Sequence, residues 1–260
     1  MKPPPPPALS IAGSDNSAGA GLQADLKTFG ALGCYGLTAA TCVVAEIPGR
    51  VEAVQAVKPA LVAAQIRLCM EAFPVRAAKT GMLYSEPIIR AVAGALRGRE
   101  VPLVVDPVMV ASSGDPLLKP GAVRAYWKFL FPMARLLTPN LDELAFLTGR
   151  EIRNARGMLE AGKWLRRRTD CAVLLKGGHL DSSAATDYLV CESGTHKFTS
   201  PRVRGVSTHG TGCTYSAAIT AGLARGLSLE DAVAKAKDHI HRAIAGSLEW
   251  PETGTQALRH

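Results

Sequence analysis

Short apolar runs alternate with helical patterns along most of this chain, and that alternation restricts the fold more than any other feature. Ala8 to Ala12 (ALSIA) is an apolar run closed by Gly13, and Leu22, Leu26 and Phe29 then recur at helical spacing within Ala20 to Leu32. Similar runs stand at Leu37 to Ala45, Arg76 to Lys79, Leu103 to Val105, Arg135 to Leu137 and Ala172 to Lys176, with helical patterns such as Pro59 to Phe73 and Pro87 to Leu96 between most of them. A helix after each strand carries the chain back across the sheet, so successive strands run parallel and the helices cover both faces. The expected fold class is therefore α/β, with a central mostly parallel sheet and helices on both sides. After Lys176 the pattern changes. Asp187 to Cys191 and His196 to Thr199 predict a hairpin around Glu192 to Thr195, and Val51 to Val57 predicts another antiparallel addition. Helix returns from Gly212, and Ser228 caps a second long one with Asp231 three positions on. Pro3 to Pro7 predict a proline-rich tail over residues 1–7, polyproline II or disordered, and no repeat or linker divides residues 8–260, which are expected to form one domain.

Composition narrows the function. With 47% hydrophobic residues and a mean hydropathy of +0.11, the 260-residue chain is globular rather than disordered. Its longest weakly polar stretch, Gly36 to Ile47, is far shorter than the roughly 20 residues of a spanning helix, and the proline-rich start offers no apolar signal region. Cytoplasm is the expected location. The net charge of +8 favours anionic partners, but the excess is spread along the chain, with one dense block at Arg166 to Arg168. Aromatic residues make up only 5% and no base-stacking motif occurs, so a phosphorylated small molecule accounts for the charge better than nucleic acid does. The six cysteines lie at wide spacings without a C-x-x-C pair and read as reduced thiols.

Several segments carry chemical potential. Gly13-SDNSAGA-Gly21 follows a strand and opens a helix, so its amides can meet an anion or simply form a tight turn. Asp25 falls in the first turns of that helix, either accepting hydrogen bonds from a ligand or standing exposed at a helix start. Thr208-His-Gly-Thr-Gly-Cys-Thr214 precedes a long small-residue helix, so Gly210 and Gly212 bare the backbone, Thr211 adds a hydroxyl, and the helix dipole favours negative charge. Cys213 at that helix start is expected to have a lowered pKa, with a structural cysteine as the alternative. Asn140 and Glu143 lie on one helical face after a strand and, with Asp106 at another strand end, offer the oxygen ligands that Mg²⁺ takes. The same pair also reads as a capping box. Lys176-Gly-Gly-His179 ends a strand with a cation and bare backbone suited to phosphate. Gly157 to Lys163 spells most of a Walker A loop, but Trp164 follows where Ser or Thr is required and no strand precedes it, so a helix is expected there. The histidines show no metal-ligand spacing, since His239 and His241 face different ways on a helix.

Taken together, IAGSDNSAGAGLQADLKTF (11–29), KTGML (79–83), VVDPVMVASSGDPLL (104–118), TPNLDE (138–143), LLKGGHL (174–180) and THGTGCTYSAAI (208–219) resemble the hydroxymethylpyrimidine and phosphomethylpyrimidine kinases of thiamine biosynthesis, within the ribokinase-like superfamily. The resemblance runs from about Ala8 to about Ile244 and implies a ribokinase-like fold, ATP, Mg²⁺ and a homodimer. It assigns Gly13, Ala20, Asp25, Val44, Met82 and Val108 to a pyrimidine pocket, and Asp106, Asn140 and Glu143 to Mg²⁺. It places Lys176 and Thr211 on ATP phosphates, and makes Gly210, Thr211, Gly212 and Cys213 an anion hole with Cys213 where related sugar kinases carry a catalytic Asp.

The implied activity is transfer of the ATP γ-phosphoryl group to 4-amino-5-hydroxymethyl-2-methylpyrimidine phosphate and to the free alcohol. Pyridoxal kinase activity is the alternative, and a non-catalytic nucleotide-binding protein a more distant one. Three positions depart from the family's pattern. Glu46 replaces a Gln that pairs with the aminopyrimidine edge, Ala18 replaces a turn glycine, and Ser112 replaces a Lys. An ionised Glu46 only accepts hydrogen bonds, so it is expected to leave a ring nitrogen without a donor.

Overall fold

The computed structural model describes residues 3–109, 117–178, 184–207 and 209–260. Its centre is a nine-stranded sheet of order β3-β2-β1-β4-β5-β6-β7-β8-β9. The six strands β2 (Tyr35–Ile47), β1 (Pro7–Asp15), β4 (Ala77–Thr80), β5 (Leu103–Val105), β6 (Leu136–Leu137) and β7 (Ala172–Leu175) are parallel, as expected. β3 (Arg50–Ala56), β8 (Ala184–Cys191) and β9 (Gly194–Pro201) add antiparallel edges. Pro7 already pairs with Tyr35, so ordered pairing begins at the last residue assigned to the tail.

Side chains of successive strand residues point to opposite faces, and the two halves of the core follow from that. Leu9, Ile11, Leu103, Val105, Val173 and Leu175 join one buried cluster beneath α2 (Pro59–Ala72), α3 (Glu86–Leu96), α5 (Leu141–Thr148) and α6 (Ala155–Thr169). Their neighbours Val104, Leu136, Ala172 and Leu174 join the opposite cluster, beneath α7 (Thr211–Ala224) and α8 (Leu229–Ala245). There α1 (Gly21–Ala31) also packs Phe29 against Ala217, Ala221 and Ala224 of α7. Burying a side chain such as Phe29 stabilises the fold by about 1.5–3 kcal/mol. The helix ends obey their capping residues: Asn140 and Glu143 form a reciprocal capping box, and the Ser228 hydroxyl accepts the Asp231 amide at 3.1 Å. The Walker-like segment lies within α6, where a Cβ on Gly162 would stand 2.5 Å from a Leu175 methyl, so that glycine serves close helix–sheet packing.

Two pieces were not legible from periodicity. Ala122–Ala125 (α4) continues as a π-helical turn over Tyr126–Leu130 and a 3₁₀ turn over Phe131–Met133, too irregular for a 3.6-residue pattern. A C-terminal hairpin, β10 (Leu248–Trp250) and β11 (Thr255–Ala257), is too short to stand out. From β1 the chain steps to β2 on one side and then to β4 on the other, so strand order reverses at β1 and β4. The crevice outside the carboxyl ends of these strands is where α/β sheets of this kind hold ligands.

Candidate active site

Asp15, at the carboxyl end of β1, shapes the first glycine loop. Its Oδ1 accepts from the Ser17 amide and hydroxyl, both at 2.7 Å, and its Oδ2 accepts from the Gly19 and Ala20 amides at 3.1 and 2.7 Å. His209 Nε2 lies 3.3 Å from the same oxygen. Burial pushes this carboxyl up, but the bonds from His209, Ser17 and Ala20 outweigh it and bring the pKa down to about 2. The loop closes where Gly21 adopts φ +56°, and a Cβ there would stand 2.5 Å from the Gly13 carbonyl oxygen. Ala18, one of the three departures, sits at φ 58°, left-handed backbone that a glycine enters without penalty.

The second glycine loop rests directly on the first. Gly210 has φ +79°, and a Cβ on it would lie 1.8 Å from the Gly19 carbonyl oxygen, so bare backbone is required. Thr208 lies outside the described residues, as do Ser112 and His179. α7 opens at Thr211, and the bare Cα of Gly212 faces Lys176 and Asp106. A Cβ there would be 3.4 Å from Lys176 Nζ and 3.7 Å from Asp106 Oδ2. The amino end of α7, a lysine and a carboxylate thus converge on one small space, which suits a phosphate chain.

Cys213 corrects one expectation. Burial, with the Asp25 and Asp106 carboxylates, drives its thiol pKa up to about 12, against the opposing pull of Lys79 and the Gly21 amide. The helix dipole that lowers thiol pKa values at exposed helix starts is overcome by desolvation here, and the thiol is neutral.

Asp106, just beyond β5, is buried and accepts from Lys176 Nζ at 3.2 Å, Thr138 Oγ1 at 3.0 Å and Ser216 Oγ at 3.2 Å. Burial alone would draw the Lys176 ammonium down, but Asp106 and Glu143 hold it above its ordinary value. Glu143 is raised to about 7 by burial and Asp106, with Lys176 opposing. Its Oε2 accepts the Asn140 amide at 2.9 Å, while Asn140 Oδ1 accepts the Glu143 amide at 2.8 Å. Asn140 and Glu143 thus hold each other in the capping box, the alternative reading of the pair. Hard carboxylate oxygens on Asp106 and Glu143, both next to Lys176, form a donor set that fits Mg²⁺ shared with phosphates.

Asp25 is not the exposed helix-start carboxylate of the alternative reading. It is fully buried, its two oxygens bonded to Lys79 Nζ at 2.7 and 2.9 Å, with the Ser10 hydroxyl donating to Oδ2. Burial would lower the Lys79 pKa, but Asp25 outweighs it and keeps the ammonium charged. Four of the other expected pocket residues, Gly13, Val44, Met82 and Val108, lie together. Val44 and Met82 pack with Cys42 in a small buried cluster edged by Val54, Tyr84 and Val108, and a Cβ on Gly13 would stand 2.8 Å from Cys42 Sγ and 3.4 Å from Met82 Sδ. Glu46 stands at the rim, where its carboxylate, that of Asp15 and the imidazole of His209 lie within 4.8 Å of one another. Burial first, then Asp15, raises its pKa to about 7, with His209 opposing. At neutral pH a large share of Glu46 therefore carries a proton it can donate, which corrects the acceptor-only expectation.

Asp15, Thr138, Lys79, His209 and Ser216 were not singled out from the sequence. Lys79 carried the best available signal, a lone cation inside an apolar strand that needs a buried counter-charge. Ser216 and Thr138 reach Asp106 only through the fold.

The model of the family described as phosphomethylpyrimidine kinase matches residues 15–256. The hydroxymethylpyrimidine/phosphomethylpyrimidine kinase of Rhizobium meliloti is 45% identical over 241 residues, 92% of this chain and 91% of that protein. The Escherichia coli protein of the same name is 44% identical over 240 residues, 92% of this chain and 90% of its own. Among solved structures, the ADP complex of Bacillus subtilis pyridoxal kinase superposes with a TM-score of 0.90 at 35% identity, covering 98% of this chain and 97% of that one. Phosphomethylpyrimidine kinase from Clostridium difficile superposes with a TM-score of 0.81 at 40% identity, covering 92% and 99%.

Proposed function

The chain belongs to the phosphomethylpyrimidine kinase family, and from that premise we propose that it transfers the γ-phosphoryl group of ATP to 4-amino-5-hydroxymethyl-2-methylpyrimidine phosphate and to the free alcohol, a step of thiamine biosynthesis. Phosphoryl transfer depends on positioning and charge stabilisation more than on covalent catalysis. The amides of Gly210, Thr211, Gly212 and Cys213 cradle the transferring group, while Lys176 and Thr211 contact the ATP phosphates. Asp106 and Glu143 hold Mg²⁺, with Asn140 fixing Glu143. When bound, the ion supplies charge neutralisation among the phosphates. Gly13, Ala20, Val44, Met82 and Val108 wall the pyrimidine, and Glu46 meets its polar edge. The neutral Cys213 thiol orients the accepting group, the hydroxyl of the alcohol or the phosphate of the monophosphate.

The observation that carries this reading is the meeting of Gly212, Lys176 and Asp106 at the amino end of α7. A homodimer is part of the same reading, supported by the apolar side chains of Val43, Leu61 and Leu68, each at least 55% exposed, on β2 and α2. The likeness to pyridoxal kinases makes pyridoxal a second acceptor to measure. The test is Mg²⁺-dependent ADP release with the pyrimidine alcohol, its monophosphate and pyridoxal in parallel. Turnover on the two pyrimidines above that on pyridoxal is expected, and turnover on pyridoxal alone would overturn the assignment.

A further inference from the structure

Outside this crevice, among the described residues, one other group of side chains gathers potential ligands of mixed type. Cys191 ends β8, His196 lies in β9 and Glu230 stands in the first turn of α8. Cys191 Sγ, His196 Nε2 and a Glu230 carboxylate oxygen lie within 4.8 Å of one another. The Ser193 hydroxyl stands in their midst, 3.1 Å from Cys191 Sγ, 2.9 Å from His196 Nε2 and 2.8 Å from Glu230 Oε1. That hydroxyl donates to the carboxylate and holds it below its ordinary pKa, so Glu230 is ionised at neutral pH.

We infer that Cys191, His196 and Glu230 form a Zn²⁺ site that clips the β8–β9 hairpin to the start of α8. Thiolate, imidazole and carboxylate are the ligands that a borderline-soft divalent ion takes together, and the thiolate selects against Mg²⁺. Spacing agrees with a tetrahedral ion. Bonds of about 2.3 Å to sulfur and about 2.0 Å to oxygen set those two atoms about 3.5 Å apart, and Cys191 Sγ lies 3.6 Å from Glu230 Oε1. The corresponding nitrogen–oxygen separation of about 3.3 Å compares with 3.9 Å between His196 Nε2 and Glu230 Oε1. Those two side chains are 38% and 37% exposed, so a small rotamer adjustment closes the difference. The Ser193 hydroxyl then yields the centre to the ion, and water or that hydroxyl completes four ligands. The ion replaces the proton on Cys191 Sγ, and that proton passes to solvent.

The site is structural rather than catalytic. β8 runs antiparallel to β7 with Val190 opposite Val173 and Tyr188 opposite Leu175, so Cys191 lies at the amino end of β7 and Lys176 at its carboxyl end. Sequence spacing concealed it, because Glu230 comes from a helix far along the chain.

The test uses the untagged full chain stripped of metal with a chelator. One equivalent of Co²⁺ is expected to give a thiolate charge-transfer band with tetrahedral visible bands. Zn²⁺, titrated against a chromophoric chelator, is expected to displace it and raise Tm. Cys191→Ser should abolish the charge-transfer band, and His196→Gln or Glu230→Gln should weaken Zn²⁺ at least tenfold, with circular dichroism unchanged. These positions are partly exposed, so the variants fold. Absence of the band, or a band and Zn²⁺ affinity unaltered in Cys191→Ser, would overturn the site.

Discussion

Glu46 offers a sharp test because its side chain changes hydrogen-bonding character within the working pH range. With a pKa of about 7, raised by burial and Asp15, it is largely a carboxylic acid at pH 6 and largely a carboxylate at pH 8. The protonated fraction falls from about 0.9 to about 0.09 between those values, a tenfold change. Only the acid donates to a ring nitrogen, as the amide of Gln does. One neutral hydrogen bond contributes about 0.5–1.5 kcal/mol, or roughly two- to twelvefold in kcat/KM. The free alcohol has only the ring contacts to orient it, whereas the monophosphate also carries negative charge that the amino end of α7 attracts. The natural chain should therefore lose up to about tenfold in kcat/KM for the alcohol between pH 6 and pH 8, relative to Glu46→Gln measured at the same pH. Using the Gln variant as reference removes every other titration, including that of the acceptor phosphate. The same comparison with the monophosphate should vary less. An equal ratio of natural chain to variant at both pH values, with the alcohol as acceptor, would refute the reasoning.

Cys213→Ala should lower kcat about two- to tenfold with little change in KM for ATP, the effect of one lost neutral hydrogen bond. A loss of about 10²-fold or more in steady-state assays would instead identify the thiol as a base in the loaded enzyme. Ala18→Gly should raise stability by about 0.5–1 kcal/mol in urea denaturation, since left-handed backbone costs alanine more than glycine loses in unfolded-chain entropy. A less stable variant would contradict the φ of 58° at Ala18.

Much of the sheet was legible because each parallel strand is a short apolar run bounded by a helix, and the register of β1, β4 and β5 follows those runs. The glycine loops were legible as backbone without side chains, and the structure adds why: Gly210 and Gly21 each press against a neighbouring carbonyl oxygen. Electrostatics was not legible. A helix-start thiol and an ionised Glu are sound expectations for exposed groups, and burial reverses both at Cys213 and Glu46. Asp25 shows the same limit, since its partner Lys79 is 54 residues away and only the packing of α1 against β1, which pairs with β4, brings them together. Ser112 and His179 lie outside the described residues, so the consequence of the Ser112 departure stays an expectation of the sequence.

The central claim is that the phosphoryl group moves in the space between the amino end of α7, Lys176 and Asp106. Steady-state kcat of Gly212→Ala tests it most directly, because the added methyl enters that space at ordinary contact distance, 3.4 Å from Lys176 Nζ and 3.7 Å from Asp106 Oδ2. Alanine in a helix stabilises by about 0.5–1 kcal/mol over glycine, so Tm should hold or rise. Displacing a phosphate by even part of an ångström is expected to cost at least about tenfold in kcat. A fall of that size with an undiminished Tm is the predicted result, and unchanged kcat would contradict the account.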